Sequence, residues 1–122
     1  MTRIKLPESL NDGLLEFGQT ATQRNEHAKI IGDGFESLGE LFFNYQTIRQ
    51  SDFEQYGTTD VSVDLKVKTY YTPMVEKSHK VIINESIYEI TGIDPDKGRI
   101  YLYWYLSKVG ELDANTQLIR TH

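Results

Sequence analysis

The sequence predicts an all-β domain: a small antiparallel β-barrel or sandwich of about six strands, with one short helical insert and extended termini. Residues 61–70 alternate strictly between apolar or β-branched side chains and polar ones, which is the period-two pattern of a half-buried strand. Two β-branched runs, 80–83 and 87–91, are separated by only a few turn residues and predict a hairpin.

The predicted elements of the first half are a polar arm and two strands. The arm covers residues 1–12 and ends in a turn at Asn11-Asp12-Gly13. A first strand then runs as far as Ala21, and residues 22–29 are predicted to form a polar loop. A further turn is predicted at Gly32-Asp33-Gly34, followed by a second strand over residues 39–45.

A short helix is predicted between the second strand and the alternating strand. Ser51 and Glu54 have the spacing of a capping box, in which a serine hydroxyl and a glutamate three residues later satisfy each other's backbone N–H groups. Gly57 stands where the C-cap would fall. The alternative interpretation of residues 51–56 is an irregular polar loop.

The second half contains the predicted strand 61–70, the hairpin and a last strand. The alternating strand should end at Thr72-Pro73, because proline cannot donate to a ladder. The hairpin turn uses Asn84-Glu85 or includes Ser86. Residues 92–98 predict a turn, with Pro95 fixing φ and Gly98 allowing a positive φ. The last strand spans 99–108, and the remainder is predicted to be mobile or ordered by a partner.

The length and composition favour one domain that does not bind duplex DNA specifically. The chain of 122 residues matches a single domain, with an arm at 1–12, a barrel core at 13–109 and a C-terminal tail at 110–122. Eighteen acidic against thirteen basic residues give a net charge of −5, whereas DNA-binding proteins need a basic surface. The sequence contains no cysteine, which excludes disulfides and cysteine-ligated zinc.

Neither a membrane span nor a signal peptide is predicted. No apolar run reaches the roughly 18–20 residues that a transmembrane helix needs. Arg3 and Lys5 are not followed by the apolar segment of a secretory signal. We therefore expect no membrane partner, and synthesis in the cytoplasm of the cell that makes the protein.

The sequence predicts no enzymatic activity, cofactor or metal. The three histidines, His27, His79 and His122, lie apart and without ligands at metal-binding spacing. Gly32-Asp33-Gly34 lacks the rest of a dinucleotide-binding loop, and Lys97 occupies a ligand position in the calcium-loop-like segment 94–98. No serine sits in a Gly-x-Ser-x-Gly elbow.

The last predicted strand is unusual because its residues 100–106 carry no charged side chain on either face. One face carries Ile100, Leu102, Trp104 and Leu106, and the other carries three tyrosines: Tyr101, Tyr103 and Tyr105. Three interpretations stay open at this point. The strand is buried on both faces, the tyrosines form a subunit interface, or they form a stacking platform for single-stranded nucleic acid.

Residues 41–108 resemble the head closure, or head–tail adaptor, proteins of long-tailed bacteriophages. The likeness lies in the order of elements: an aromatic strand at 41–45, a polar insert with a helical turn at 51–56, and an alternating strand ending at Tyr71-Thr72-Pro73. The hairpin strands 81–84 and 87–90 and the turn at 93–96 complete it. The family usually has glycine in the hairpin turn, where this chain has Glu85.

The resemblance implies a structural protein of a virion. Such proteins form a ring of about twelve copies between the portal with its adaptor and the tail. The ring closes the DNA channel after packaging and docks the tail. A loop between two barrel strands forms the gate, and the matching segment is 46–59. Its candidate gate or partner-contacting residues are Ser51, Asp52, Phe53, Glu54, Gln55 and Tyr56. Tyr101, Tyr103 and Tyr105 are the candidate subunit interface.

Two alternatives to head closure remain. A tail completion or tail terminator protein is also a β-rich ring subunit, and the sequence separates the two poorly. A single-stranded nucleic-acid-binding barrel would instead use exposed tyrosines for base stacking.

Overall fold

The computed structural model describes residues 9–24, 30–58, 61–111 and 119–121. Within these ranges the chain forms seven strands and one helix: β1 (Gly13–Arg24), β2 (Ile30–Gln46), α1 (Gln50–Tyr56), β3 (Leu65–Tyr70), β4 (Lys80–Ile83), β5 (Ser86–Pro95), β6 (Tyr101–Glu111) and β7 (Ile119–Thr121). The prediction of an all-β fold with one short helix is confirmed. Among the described helices, none has the length and apolar character to cross a bilayer.

Six of these strands close into a barrel. The strand order is β1-β4-β5-β6-β3-β2, and β2 pairs again with β1. All six of these pairings are antiparallel. The structure therefore selects the barrel over the sandwich, and closure leaves few unpaired strand edges in this part of the chain.

The barrel interior is filled by side chains around Trp104, the one tryptophan of the sequence. Its indole Nε1 donates a 2.8 Å hydrogen bond to the Thr69 hydroxyl, and both residues are fully buried. This bond satisfies the indole N–H, which would otherwise cost about 1–3 kcal/mol when buried, and the Thr69 hydroxyl in turn donates to the Tyr70 carbonyl at 2.8 Å. The other buried members of the core are Leu15, Phe17, Phe43, Val67, Val81, Ile83, Ile90, Leu102 and Leu106.

The first hairpin is longer than the sequence predicts. β1 continues to Arg24 and β2 begins at Ile30, so the predicted loop 22–29 is partly strand, and its residues 25–29 lie outside the described residues. The predicted turn at 32–34 is also strand, because Gly32 pairs with Gln23 and Asp33 pairs with Thr22. Glycine and polar residues carry little strand preference of their own, and here the cross-strand ladder supplies it.

The end of the N-terminal arm is fastened to β2. The side chain of Asn44 accepts a hydrogen bond from the Asn11 backbone N–H and donates one to the Ser9 carbonyl, both at 3.0 Å. Leu10 is buried. The predicted arm thus has a fixed end, while its residues 1–8 lie outside the described residues.

The alternating strand is shorter than predicted. β3 begins at Leu65, and Val63 is buried ahead of it without being part of a strand. The predicted end near Thr72-Pro73 agrees with the last strand residue, Tyr70. Lys66 is buried although it lies on the polar face, which the half-buried pattern did not predict.

The turn between β5 and β6 lies later than predicted. β5 runs to Pro95, and Arg99, not Gly98, has the positive φ of 54°. The Asp96 side chain explains this shape, since its Oδ1 accepts hydrogen bonds from the backbone N–H groups of Ile100 and Tyr101 at 2.7 and 3.0 Å. The last strand therefore begins at Tyr101, and Ile100 lies outside it with 54% of its surface exposed.

The C-terminal residues are also more structured than predicted. β6 continues to Glu111, and Gly110 pairs with Ile87. β7 pairs with β2 in parallel, with Ile119 opposite Gly34. The predicted tail at 110–122 is therefore partly sheet, and its residues 112–118 and 122 lie outside the described residues.

The hairpin turn between β4 and β5 has the shorter of the two predicted lengths. Ile83 pairs with Ser86, and the two turn residues Asn84 and Glu85 have φ values of 49° and 72°. Two consecutive positive φ values are typical of a type I′ turn, which favours Asn followed by Gly. Asn84 suits the first position, but Glu85 is strained at the second.

We expect Glu85→Gly to raise the free energy of unfolding by roughly 1 kcal/mol, because a left-handed conformation costs a non-glycine residue about 1–2 kcal/mol and glycine loses part of this gain to its greater chain entropy. Chemical denaturation at neutral pH would measure the change. Glu40→Gly, at an exposed strand position with an ordinary φ, is the matched control and should be destabilising. Equal losses in both variants would contradict the strain at Glu85.

Candidate functional site

The candidate site is the helix α1 together with the barrel wall beneath it. The helix begins at Gln50, and the Asp52 side chain accepts a 2.9 Å hydrogen bond from the Arg49 backbone N–H. Asp52 therefore caps the helix from its third position, and the predicted pairing of Ser51 with Glu54 is wrong because the helix begins at Gln50, which makes Arg49 the N-cap. The predicted C-cap is confirmed, since the Gly57 N–H donates to the Phe53 carbonyl at 2.9 Å.

A buried ion pair joins this helix to the barrel. The Lys66 ammonium on β3 lies 3.0 Å from Asp52 Oδ2, and the two residues are only 5% and 3% exposed. Burial by itself would raise the pKa of Asp52, but hydrogen bonds from the Arg49 N–H and from Lys66, with the charges of both residues, outweigh it and lower this pKa. Asp52 is therefore a carboxylate at neutral pH.

Two stacked tyrosines form the second contact between helix and barrel. The rings of Tyr56 on α1 and Tyr105 on β6 lie 4.0 Å apart with an interplanar angle of 21°. The Lys66 ammonium lies 5.1 Å from the centre of the Tyr105 ring, within cation–π range. Burial first, and then the charge of Asp52, raises the pKa of Tyr105 to about 12, so its hydroxyl stays protonated.

Gly92 on β5 makes this docking possible. A Cβ atom added there would lie 2.1 Å from the Tyr56 ring. The strand has a register shift between Ile90 and Gly92, so the backbone deviates from regular pairing where the helix lies against it.

An open groove runs beside the docked helix. It has a volume of about 430 Å³ and a mixed lining of both charge signs: Gln46, Thr47, Arg49, Lys66, Asp94, Tyr103 and Tyr105. No three histidine or acidic side chains of the described residues are grouped to hold a metal ion. The expectation that the protein has no cofactor and no enzymatic activity stays a prediction.

The structure divides the predicted gate residues into two sets. Asp52 and Tyr56 face the barrel and hold the helix there. The remaining four are exposed: Ser51, Phe53, Glu54 and Gln55. Phe53 is notable because an aromatic ring with 41% exposure projects from an otherwise polar surface. Of the segment's two ends, Gln46 closes β2 and residue 59 lies outside the described residues.

The three candidate interface tyrosines have different environments. Tyr105 is 2% exposed, since Tyr56 of the same chain covers it. Tyr101 and Tyr103 are half-buried on the same outer wall. Tyr101 stacks on Tyr70 with 5.6 Å between ring centres, and the Lys68 ammonium lies 4.7 Å above its ring.

Sequence reasoning missed Arg49, Lys66 and Gly92 as parts of the site. The sequence does contain a signal for Lys66. Lys66 and Lys68 lie on one face of the alternating strand, and they can form cation–π contacts if that strand pairs with the strand that carries the tyrosines, as it does here. For Gly92 the local sequence contains no signal, because its role depends on a helix more than thirty positions earlier in the chain.

Comparison with known proteins gives a fold but not a family. No family model matches this chain, and no curated protein matches it. The solution structure of protein SF1141 from Shigella flexneri 2a is similar, with a TM-score of 0.59 at 12% identity, covering 80% of this chain and 92% of that chain. A likeness at this identity shows a shared fold alone.

A chain from a structure described as the virion of a native gene transfer agent (GTA) particle is also similar. It aligns with a TM-score of 0.48 at 12% identity, covering 88% of this chain and 99% of that chain. That score is too low to support an argument about fold or function.

We expect Asp52→Ala to lower the free energy of unfolding by about 3–5 kcal/mol at neutral pH, because it leaves the Lys66 ammonium buried without a counter-charge. The double variant Asp52→Ala with Lys66→Met removes both charges and should recover most of the loss. Chemical denaturation of the wild type, the single variant and the double variant would measure both effects. Equal losses in the single and double variants would contradict the ion pair as the helix anchor.

The same pair predicts a dependence on pH. Because folding lowers the pKa of Asp52, its stabilisation is fully present above the ordinary value of 3.8 and is lost as pH falls through the lower folded value. The stability difference between the wild type and Asp52→Asn should therefore be constant near neutral pH and shrink below 3.8.

Proposed function

We propose that this chain is a structural protein of a phage or prophage virion that acts at the head–tail junction, closing the DNA channel after packaging and docking the tail. One observation carries the proposal. The order of elements on which the family resemblance rests, from the aromatic strand through the helical insert to the hairpin, belongs to one closed barrel. The insert between β2 and β3 is a helix that lies against the barrel wall.

The proposed partners follow from the same resemblance. They are copies of this chain in a ring of about twelve, a portal or adaptor protein on the head side, and a tail protein on the other. Packaged DNA would pass through the channel without sequence-specific binding. The net charge of −5 supports this role, because an acidic conduit repels the phosphate backbone and lets the duplex slide.

The docked helix suggests how the insert could serve as the gate. One face of α1 is held by Asp52 and Tyr56, so its position relative to the barrel is defined. The rest of the helix surface presents Phe53, Glu54 and Gln55 to the surroundings. We propose that this outward face contacts either the channel axis or a neighbouring protein of the junction.

Electron microscopy of a lysate from a phage with a stop codon in this gene tests the proposal. Empty heads beside complete, unattached tails support a head closure protein, and a plasmid copy of the gene should restore joined particles. Joined particles with normal DNA content would refute it. Filled heads with defective tails would instead identify the alternative, a tail completion or terminator protein.

A second candidate from another class is a barrel that binds single-stranded nucleic acid. The stacked rings of Tyr70 and Tyr101, with Lys68 above one of them, are the observation that favours it. Fluorescence titration with an oligonucleotide at low and high salt tests this candidate. Absence of binding at low salt would exclude it, whereas salt-sensitive binding that Tyr101→Ala weakens would favour it.

We expect Phe53→Ala to leave the free energy of unfolding within about 0.5 kcal/mol of the wild type, because the ring is substantially exposed. In virions that carry this variant, retention of packaged DNA should fall, since the gate loses its one exposed aromatic contact. Nuclease-protected DNA per particle would measure retention. Val109→Ala, which shortens an exposed apolar side chain elsewhere, is the matched control. Normal retention with Phe53→Ala would remove the gate assignment.

A further inference from the structure

The first hairpin continues beyond the strands that close the barrel. β4 pairs with β1 only over residues 16–18, and β3 pairs with β2 only over residues 43–46. Beyond these points, residues 19–24 of β1 pair with residues 30–36 of β2. We call these two segments the ribbon. Phe35 is fully buried, which anchors the near end of the ribbon.

The two sides of the ribbon are occupied differently. On the β2 side, β7 pairs with residues 34–36. On the β1 side, β4 stops at Gly18, and among the described strands none pairs with residues 19–24. This side therefore presents backbone N–H and C=O groups at every second residue, as the edge of a sheet does. The occupant that such an edge specifies is an extended polypeptide segment.

Regular pairing limits the usable edge to residues 19–23. The ladder between β1 and β2 has one register shift between Phe17 and Gly18 and another between Gln23 and Arg24. Gly18 itself is already paired with Lys80 of β4. A strand added beside β1 therefore meets an uninterrupted template that begins at residue 19 and ends at residue 23.

The sequence of this stretch is the same in both directions. It consists of Gln19, Thr20, Ala21, Thr22 and Gln23, so it is centred on Ala21. When two copies pair antiparallel about a two-fold axis at Ala21, position 19 lies opposite position 23, and position 20 lies opposite position 22. Each glutamine is then opposite a glutamine and each threonine opposite a threonine. Threonine pairs across antiparallel strands are favourable, and no like charges are brought together.

The stretch also lacks the features that keep exposed strand edges apart. Edge strands are commonly protected by lysine, by other charged side chains or by proline. Residues 19–23 contain none of these. Because the whole chain has a net charge of −5, two copies repel one another at long range, and a neutral edge adds no local repulsion to this.

We propose that residues 19–23 of two copies pair antiparallel about a two-fold axis at Ala21 and join the two ribbons into one continuous sheet. The backbone forms the contact, so the Gln19 side chain keeps its 3.0 Å hydrogen bond to Glu36 of its own ribbon. Because the paired strands run in opposite directions, the two barrels lie at opposite ends of the joined ribbons. The pairing occupies both β1 edges and stops at two copies.

The inference concerns the free protein and goes beyond the proposed role in a virion. Five residues from each copy form a small interface, which belongs to the weak class of protein contacts. We therefore expect a monomer at low protein concentration and a growing fraction of dimer as the concentration rises.

Engineered cysteines test the pairing and its register, because the natural chain contains no cysteine. Ala21→Cys places a thiol opposite its own counterpart. Opposed Cα atoms of antiparallel strands lie about 4.5–5.5 Å apart, which is within the range for a disulfide. At high protein concentration and with a mild oxidant, most of this variant should become a covalent dimer, as measured by non-reducing electrophoresis.

The neighbouring positions provide the matched controls. Thr20→Cys and Thr22→Cys should each cross-link poorly alone, because each thiol lies diagonally from its counterpart, at about 7–8 Å. An equimolar mixture of these two variants should cross-link about as well as Ala21→Cys, since position 20 lies opposite position 22.

Charges at the axis test the same contact without oxidation. Ala21→Glu and Ala21→Lys each bring two like charges together and should weaken self-association by roughly tenfold, or about 1.4 kcal/mol, in sedimentation velocity. An equimolar mixture of the two should restore it. Ser37→Glu, an equal change of charge at an exposed position of β2, should behave like the wild type.

Three results would overturn the proposal: a wild type that stays monomeric at high concentration, axis variants that associate like the wild type, or Thr20→Cys that cross-links alone as well as Ala21→Cys does. The last result would show a different register or a different contact. Failure of this pairing is distinguishable from failure of the proposed function, because the lysate experiment reads heads and tails and not the state of the free protein.

Discussion

Closure of the sheet between β1 and β2 is the constraint on which the rest of the structure depends. Once these strands pair, the barrel has a definite inside, and the inward side chains must fill it at the density of a protein interior. Trp104 occupies the middle of the barrel, and its indole N–H donates a hydrogen bond to the Thr69 hydroxyl. Closure also gives the barrel a definite outside, where the helix and the tyrosines have fixed positions relative to one another.

The helix α1 illustrates how a small element gains a defined place on that outer wall. A helix of seven residues is far below the length that is stable alone in water. Its docking depends on one buried ion pair and one ring stack, both of which require a specific position. Buried pairs of this kind contribute little net stability compared with an apolar contact, but the loss of one partner leaves an uncompensated buried charge. Because the ion pair and the ring stack hold one face of the helix against the barrel, Phe53 lies outside that face and is exposed.

The sequence predicted those elements whose cause is local. Alternation identified the interior of β3, and the β-branched runs identified the hairpin. Elements that depend on distant partners were missed: Gly32 lies in a strand because Gln23 pairs with it, and β7 exists because β2 offers an edge. For the site, the helical insert was found, but the division into anchoring and outward residues required Lys66 and Tyr105, which approach only in the folded chain.

The packed interior has a consequence for any conduit built from this protein. Trp104 and its neighbours leave no passage along the barrel axis, so the barrel is a solid building block. A bore could then exist only as the space enclosed between subunits, and its diameter would follow from their number and from the angle between neighbours. Mutations in the barrel core would change the stability of each subunit. Mutations on the outer walls would change the contacts between subunits and with them the diameter of the bore.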